Sequence, residues 1–218
     1  MPVTAEVFGI SRHRVNIDGN GITTLVCFMG CHLYCKYCIN RVCHYSKEEL
    51  KKNRIQTKIF TAKELYDVVC IDNLYFSATG GGITFGGGEP GLYDLFIQEF
   101  KQICNPNWKI NMETSLNFPT SNMRNLLSII DSFIIDIKDM SSQIYKKYTS
   151  MSNNFVINNL QLLKYSTKFK NTQIRVPHIC NYNTPSDVYN SVAILRMMGF
   201  TNIEEFTYIL PDEIKDYE

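Results

Sequence analysis

The stretch CFMGCHLYCKYCIN, residues 27–40, carries four cysteines in fourteen positions. Cys31, Cys35 and Cys38 are spaced C-x3-C-x2-C, and Cys43 follows closely. Thiols this crowded point to metal binding. Two fillings are open to them. A structural zinc ion would complete its tetrahedron with a fourth ligand, from Cys43, His44 or His32. A [4Fe–4S] cubane held by three cysteines would instead leave one iron free for a substrate. A second unusual stretch is FGGGEP, residues 85–90. Its glycines, Gly86, Gly87 and Gly88, leave backbone groups bare for close approach just before Glu89 and Pro90. As a lone feature it would be only a tight turn. More polar residues end apolar runs: Glu113 and Thr114, Asp136 and Lys138, Arg175 and His178. A charge inside an apolar strand is costly unless it is paired or faces a solvated site.

The elements that must position these residues alternate along the chain. Strand-like runs occur at 22–28, 81–85, 108–114, 132–138, 172–178 and 204–210. Between them lie helix-like segments. The T-x-x-E box Thr61 to Glu64 opens one through about residue 72, and Leu92, Leu95, Phe96 and Phe100 give helical spacing in the next. Two short helices are expected over 141–149 and 155–167. Thr184 and Pro185 begin a last helix that Gly199 ends. Six strands alternating with helices imply a parallel α/β sheet with right-handed crossovers, and at this length a partial (βα)6 barrel is favoured over an open sheet. In either, ligands bind beyond the carboxyl ends of the strands, where the unusual residues crowd. Asp136 and Lys138 would share one strand face, with Ile135 and Ile137 on the other.

Composition sets outer limits. With 218 residues, 44% hydrophobic and 20% charged, the chain fits one globular domain spanning residues 1–218. A net charge of +1 gives no broad basic surface of the kind nucleic-acid binding needs. The start lacks a signal-peptide pattern, and no apolar run is long enough to cross a membrane. A cytoplasmic location with reduced cysteines is the expectation.

Taken together, the cysteine spacing and the glycine run resemble the radical S-adenosylmethionine (SAM) superfamily. Within it, the chain resembles the glycyl-radical-enzyme activating enzymes, such as pyruvate formate-lyase activating enzyme. VNIDGNGITTLVCFMGCHLYCKYCIN is similar to the segment of that group that leads into the cluster loop, ITFGGGEP to its GGE motif, FIIDIK to its fourth strand, and IRVPHICNYN to its fifth. The resemblance implies that Cys31, Cys35 and Cys38 ligate a [4Fe–4S] cluster and that SAM chelates the fourth iron. It places Tyr37 near adenine, Gly86, Gly87, Gly88 and Glu89 at the methionine amino group, and Thr114, Asp136, Lys138 and Arg175 along the rest of the SAM site. Asp18 would face the substrate, although a surface cap or turn is an equal reading of that residue. The implied partners are a glycyl radical enzyme as substrate and a flavodoxin or ferredoxin-type electron donor, with neither nucleic acid nor membrane involved.

The pattern also departs from that group. ETSL stands where the motif has ETNG, so Ser115 and Leu116 replace an amide and a glycine; Asn20 replaces a proline, and Thr23 an arginine. The sequence ends with LPDEIKDYE, where that group continues, so the expectation is either a wider lateral opening or a sequence short of the group's full length. Only Cys43 and Cys70 fall between Cys38 and Gly86, leaving no ligands for a ferredoxin-like insert. Cys27, Cys70 and Cys104 read as small buried hydrophobes, Cys43 as structural, and His13 and His44 as surface residues, with His32 in the cluster's second layer. SKEELKKNR reads as a solvated loop or helix face. Rival readings are a small-molecule radical SAM enzyme of the carboxydeazaguanine synthase kind, the activating enzyme of anaerobic ribonucleotide reductase, and a zinc or electron-transfer protein without catalysis.

Overall fold

The computed structural model describes residues 2–209. In chain order it runs β1 (Thr4–Val15), β2 (Ile22–Phe28), α1 (Lys47–Lys52), β3 (Lys58–Thr61), α2 (Ala62–Val69), α3 (Asn73–Thr79), β4 (Gly82–Gly87), α4 (Asp94–Ile103) and β5 (Lys109–Thr114). It continues with α5 (Thr120–Leu127), β6 (Ser132–Asp136), α6 (Ser142–Thr149), α7 (Asn154–Lys164), β7 (Thr172–His178), α8 (Pro185–Met197) and β8 (Ile203–Thr207).

All eight strands form one sheet in the order β3-β1-β2-β4-β5-β6-β7-β8. Every contact from β2 through β8 is parallel, in registers such as Thr24↔Ile83 and Ile83↔Ile110. These six strands are the expected partial barrel. β1 and β3 extend it as antiparallel strands that the hydrophobic pattern did not reveal. The pairing of β1 with β2 shifts register between Val7 and Gly9 and again between Ser11 and Arg14. Each bulge shifts the alternation by a residue, so the period-2 signal of β1 is lost.

Within the parallel strands the alternation is strict, and it sorts the chemistry. Val26, Phe28, Ile83, Phe85, Ile110, Met112, Phe133, Ile135, Ile174 and Val176 belong to the main core. The residues between them, including Cys27, Thr84, Asn111, Glu113, Asp136 and Arg175, fall on the other, concave face. The helices start where the sequence signals lie. Thr61 and Thr184 both form capping boxes, and Pro185 sits in the first turn of α8. The segment read as a solvated stretch is the short helix α1, which Ser46 caps with Glu49. The helix expected through residue 72 ends at Val69, with a 3-10 turn following and α3 beyond it. Of the last expected strand, β8 covers 203–207, while Leu210 and the LPDEIKDYE segment lie outside the described residues.

Candidate active site

The chain leaves β2 at Phe28 and turns at Gly30, whose φ of 80° suits glycine. The loop that follows is tied down by its backbone. Gly30 N–H donates to the Cys43 carbonyl (2.8 Å), while Tyr34 and Lys36 N–H donate to the carbonyls of Thr149 and Tyr148 at the end of α6 (2.9 and 3.1 Å). Asn40 reaches across to the Gly87 carbonyl with its side-chain amide (2.9 Å). Cys31, Cys35 and Cys38 thereby line one cavity of about 150 Å³, at the carboxyl ends of the strands. Tyr37, Gly87, Gly88, Glu89, Thr114, Asp136 and Lys138 line it too. Ten of the thirteen residues singled out in the sequence therefore meet there. Gly86, Asp18 and Arg175 do not line it.

Glu89 is 1% exposed, and its carboxylate is saturated. One oxygen accepts from the Thr114 hydroxyl (2.5 Å) and Gly91 N–H (3.1 Å); the other accepts from the Ser115 hydroxyl (2.6 Å) and Ser115 N–H (3.0 Å). A carboxylate offers about four acceptor positions, so little capacity remains for a ligand's ammonium group. Burial pushes the Glu89 carboxyl up in pKa, and these donors work against that shift. Ser115, one of the departures from the motif, thus joins the end of β5 to the glycine turn. Leu116, the other, keeps the left-handed backbone that a glycine would adopt (φ 59°) while fully buried.

Packing by itself already demands glycine at two of these positions. A Cβ on Gly87 would lie 2.7 Å from Cys27 Cα, and one on Gly88 would collide with the Gly30 carbonyl oxygen. They let the end of β4 press against the backbone that launches the cysteine loop. The turn is held there by Gly88 N–H donating to Phe28 O (2.9 Å) and Glu89 N–H to Gly30 O (2.8 Å).

Beneath the cavity the charges are paired. Asp136 meets Lys138 (3.5 Å), as their shared face predicts. Burial disfavours the Lys138 ammonium, yet Asp136 and Cys35 outweigh it and hold its pKa above the ordinary value. Arg175 donates to Glu113 (2.7 Å) and to the Ile17 carbonyl (3.1 Å). Burial, then Asp136 and Asp18, raise the Glu113 carboxyl to about 7 against the pull of Arg175. Asp18 is 1% exposed and ion-paired with Arg14, while its carbonyl accepts from the Thr84 hydroxyl (2.5 Å). A surface turn is therefore excluded for Asp18. Glu113 and Arg14 have no role assigned from sequence; charge at the end of an apolar strand signals Glu113, whereas Arg14 sits on β1, which the pattern does not reveal.

The remaining cysteines and histidines sort by environment. Cys43 is buried and hydrogen-bonded to Cys38, which lowers the Cys38 thiol to about 6; burial raises Cys31 to about 12 and Cys35 to about 11. Cys104 is buried as expected, but Cys27 and Cys70 are only partly covered. His44 is half-buried under Tyr34 (ring centroids 4.9 Å), not a surface residue. His13 and His32 are exposed.

Comparison with known proteins places this arrangement. The chain shares the fold of coproporphyrinogen III oxidase (HemN) from Escherichia coli, described as a radical SAM enzyme. The TM-score is 0.58 at 14% identity, over 92% of this chain and 49% of that one. Residues 17–158 match the 4Fe-4S single cluster domain, and the chain belongs to that family. It is 35% identical to a (2S)-3-sulfopropanediol dehydratase activating enzyme of Klebsiella oxytoca, over 73% of this chain and 55% of that protein. It is 32% identical to a pyruvate formate-lyase-activating enzyme of Clostridium pasteurianum, over 61% and 52%. The chain spans about half the length of these curated relatives. Among the described residues no helix is long and apolar enough to cross a membrane.

Proposed function

We propose that residues 1–218 act as a single radical SAM domain that activates a glycyl radical enzyme. The reading rests on one observation: three thiols, a glycine turn, and the Asp136–Lys138 pair surround a single cavity at the carboxyl rim of a partial barrel. That donor set suits a [4Fe–4S] cluster held by Cys31, Cys35 and Cys38, with one iron left for SAM. When both are bound, one-electron reduction of the SAM sulfonium supplies a 5′-deoxyadenosyl radical that takes hydrogen from a glycine Cα.

The protein's own residues position and shield. Tyr37, buried between two ligands, offers its ring to adenine. Gly87 and Gly88 present backbone to the methionine amino group, Gly86 leads β4 into their turn, and Glu89 acts on that group by holding the turn. Thr114, Asp136 and Lys138 shape the remainder of the SAM site, and Arg175 acts on it from behind by holding the cavity-lining Glu113. Asp18, buried and paired with Arg14, is the residue assigned to the substrate side. The electron comes from a flavodoxin or ferredoxin-type donor, and the reducing cytoplasm keeps the eight cysteines as the free thiols seen here.

The test is anaerobic reconstitution, iron analysis and incubation with SAM, reductant and a candidate glycyl radical enzyme. A glycyl EPR signal on the partner is the expected result. Turnover of a free metabolite with no protein radical would refute the activating role.

A further inference from the structure

The near-cancellation of charge across the whole chain hides a segregation. No aspartate or glutamate occurs from residue 19 to 47 or from 140 to 186, whereas nine lysines and arginines do. The cysteine loop and α6 come from these two segments, and they are strapped together through the Thr149 and Tyr148 carbonyls. Lys36, Arg41, Lys146 and Lys147 are all exposed there. Amid them stand two exposed apolar side chains: Tyr34, 61% exposed, and Ile39, 70% exposed. Each is a direct neighbour of a cavity cysteine, Cys35 or Cys38. Aromatic rings connect this rim to the cavity wall. Lys147 Nζ lies 5.5 Å from the Tyr182 ring centroid, and Tyr182 packs edge-on against Tyr37 at 5.5 Å.

We infer that this patch, Tyr34 and Ile39 on the loop together with Lys36, Arg41, Lys146 and Lys147, is where an acidic one-electron carrier protein docks to reduce the cluster. The inference rests on the function proposed above and adds the face at which the electron enters. The redox step is a bare electron transfer: a low-potential flavin or iron–sulfur carrier loses one electron, the cluster gains it, and no proton or bond changes hands. Electron transfer weakens steeply with distance, so the carrier must sit over the cysteine loop itself, at the rim where Ile39 borders the cavity. Redox encounters use small interfaces that form and part quickly. Exposed apolar side chains among cations of one sign meet that need, because the cations steer a partner of opposite charge and the apolar groups exclude water on contact.

The experiment uses reconstituted holoenzyme and reads cluster reduction by stopped-flow absorbance, with a reduced, acidic plant-type ferredoxin as the carrier. Photoreduced 5-deazariboflavin, a small uncharged donor, serves as the control. The triple variant Lys36→Glu, Lys146→Glu, Lys147→Glu leaves Arg41 in place, since its guanidinium holds the Lys36 carbonyl (2.7 Å). Its bimolecular rate with ferredoxin is expected to fall ~10-fold or more at low salt, and the wild-type salt dependence to vanish. Reduction by deazariboflavin should be unchanged. Ile39→Ser, which alters no charge, should slow the ferredoxin reaction while keeping its salt dependence. Unchanged rate and salt dependence in the triple variant would overturn the proposal. So would normal electron uptake combined with failure to activate a glycyl radical enzyme, which would assign the patch to the substrate. Wild-type holoenzyme that is reduced by both donors yet never cleaves SAM would instead refute the function proposed above.

Discussion

The barrel has two mouths, and the larger is not the one that carries the chemistry. At the amino ends of the strands lies a cavity of about 380 Å³, lined by Asn16, Lys109, Asn111, Ser132, Gln173 and Asn202 among others. The cysteine cavity at the opposite ends is less than half that size. Much of the large mouth is side-chain amides, several engaged with their own chain, beside the charged Lys109, Asp131 and Lys170. Ser132 donates to Asn111 (2.6 Å), Gln173 to Glu204 (2.9 Å) and Asn171 to the Asp131 carbonyl (3.3 Å). The small mouth gathers thiols, a saturated buried carboxylate and a lysine whose pKa its neighbours raise. Volume measures where packing stops. Shifted pKa values and close polar contacts measure where the fold has spent stability, and only the cysteine mouth shows that expense.

The sharpest way to break this contrast is to remove the thiols. Cys31→Ala, Cys35→Ala or Cys38→Ala should each abolish cluster assembly, read as iron per chain after anaerobic reconstitution. Cys43→Ala should retain about four irons. Loss of metal in Cys43→Ala alone would move the site to a four-thiolate model.

A smaller but still large effect is expected at Glu89. Glu89→Ala leaves the Thr114 and Ser115 donors without their acceptor, at about 1–3 kcal/mol for each buried orphan. Ser115→Ala should cost about 1 kcal/mol in a wild-type background and nearly nothing once Glu89 is replaced. Urea unfolding of the four proteins of this cycle provides the coupling. Additive losses would show that Ser115 does not act through Glu89.

Glu113 gives a pH signature. Its folded pKa of about 7 lies above the unfolded carboxylate value, so between roughly pH 4.5 and 7 the folded state binds the extra proton. This contribution is fully present below the unfolded value and is lost as pH rises through 7. The apo-protein should therefore lose up to about 1.4 kcal/mol per pH unit across that window from this group. Glu113→Gln should flatten that part of the profile, and an unaltered slope would remove Glu113 as its source. The large mouth supplies the least effect. Gln173→Leu should shift stability by no more than about 0.5 kcal/mol and leave SAM binding unchanged by titration. A marked loss of affinity there would erase the contrast between the two ends.

Local rules made much of this legible. The six parallel strands follow from their apolar runs, two helix starts from the Thr61 box and the Thr184 cap before Pro185, and the rim from polar residues that end those runs. The same rule could have found α1, since Ser46 and Glu49 make a capping box that the surrounding charge disguised. β1 was hidden by its bulges, and β3 by its length of four residues. The Glu89 contacts could not be read at all, because Ser115 lies 26 positions away and only the β4–β5 pairing brings the two together. The buried state of Asp18 was equally unreadable: it depends on Arg14 and on a lumen-facing threonine of β4.

The strapping of the cysteine loop to α6 bears on how the chain matures. In small zinc domains the ligands are scattered until metal gathers them, so binding and folding are one event and chelators unfold the protein. Here the loop spends backbone N–H groups on helix-end carbonyls, the glycine turn donates its own N–H groups to the Phe28 and Gly30 carbonyls, and none of these bonds needs a metal. The thiols are therefore held near one another before iron arrives, and assembly does not have to order the chain. Maturation would then be a late insertion into a folded acceptor, and oxidative loss of the cluster would leave a protein that can be reloaded.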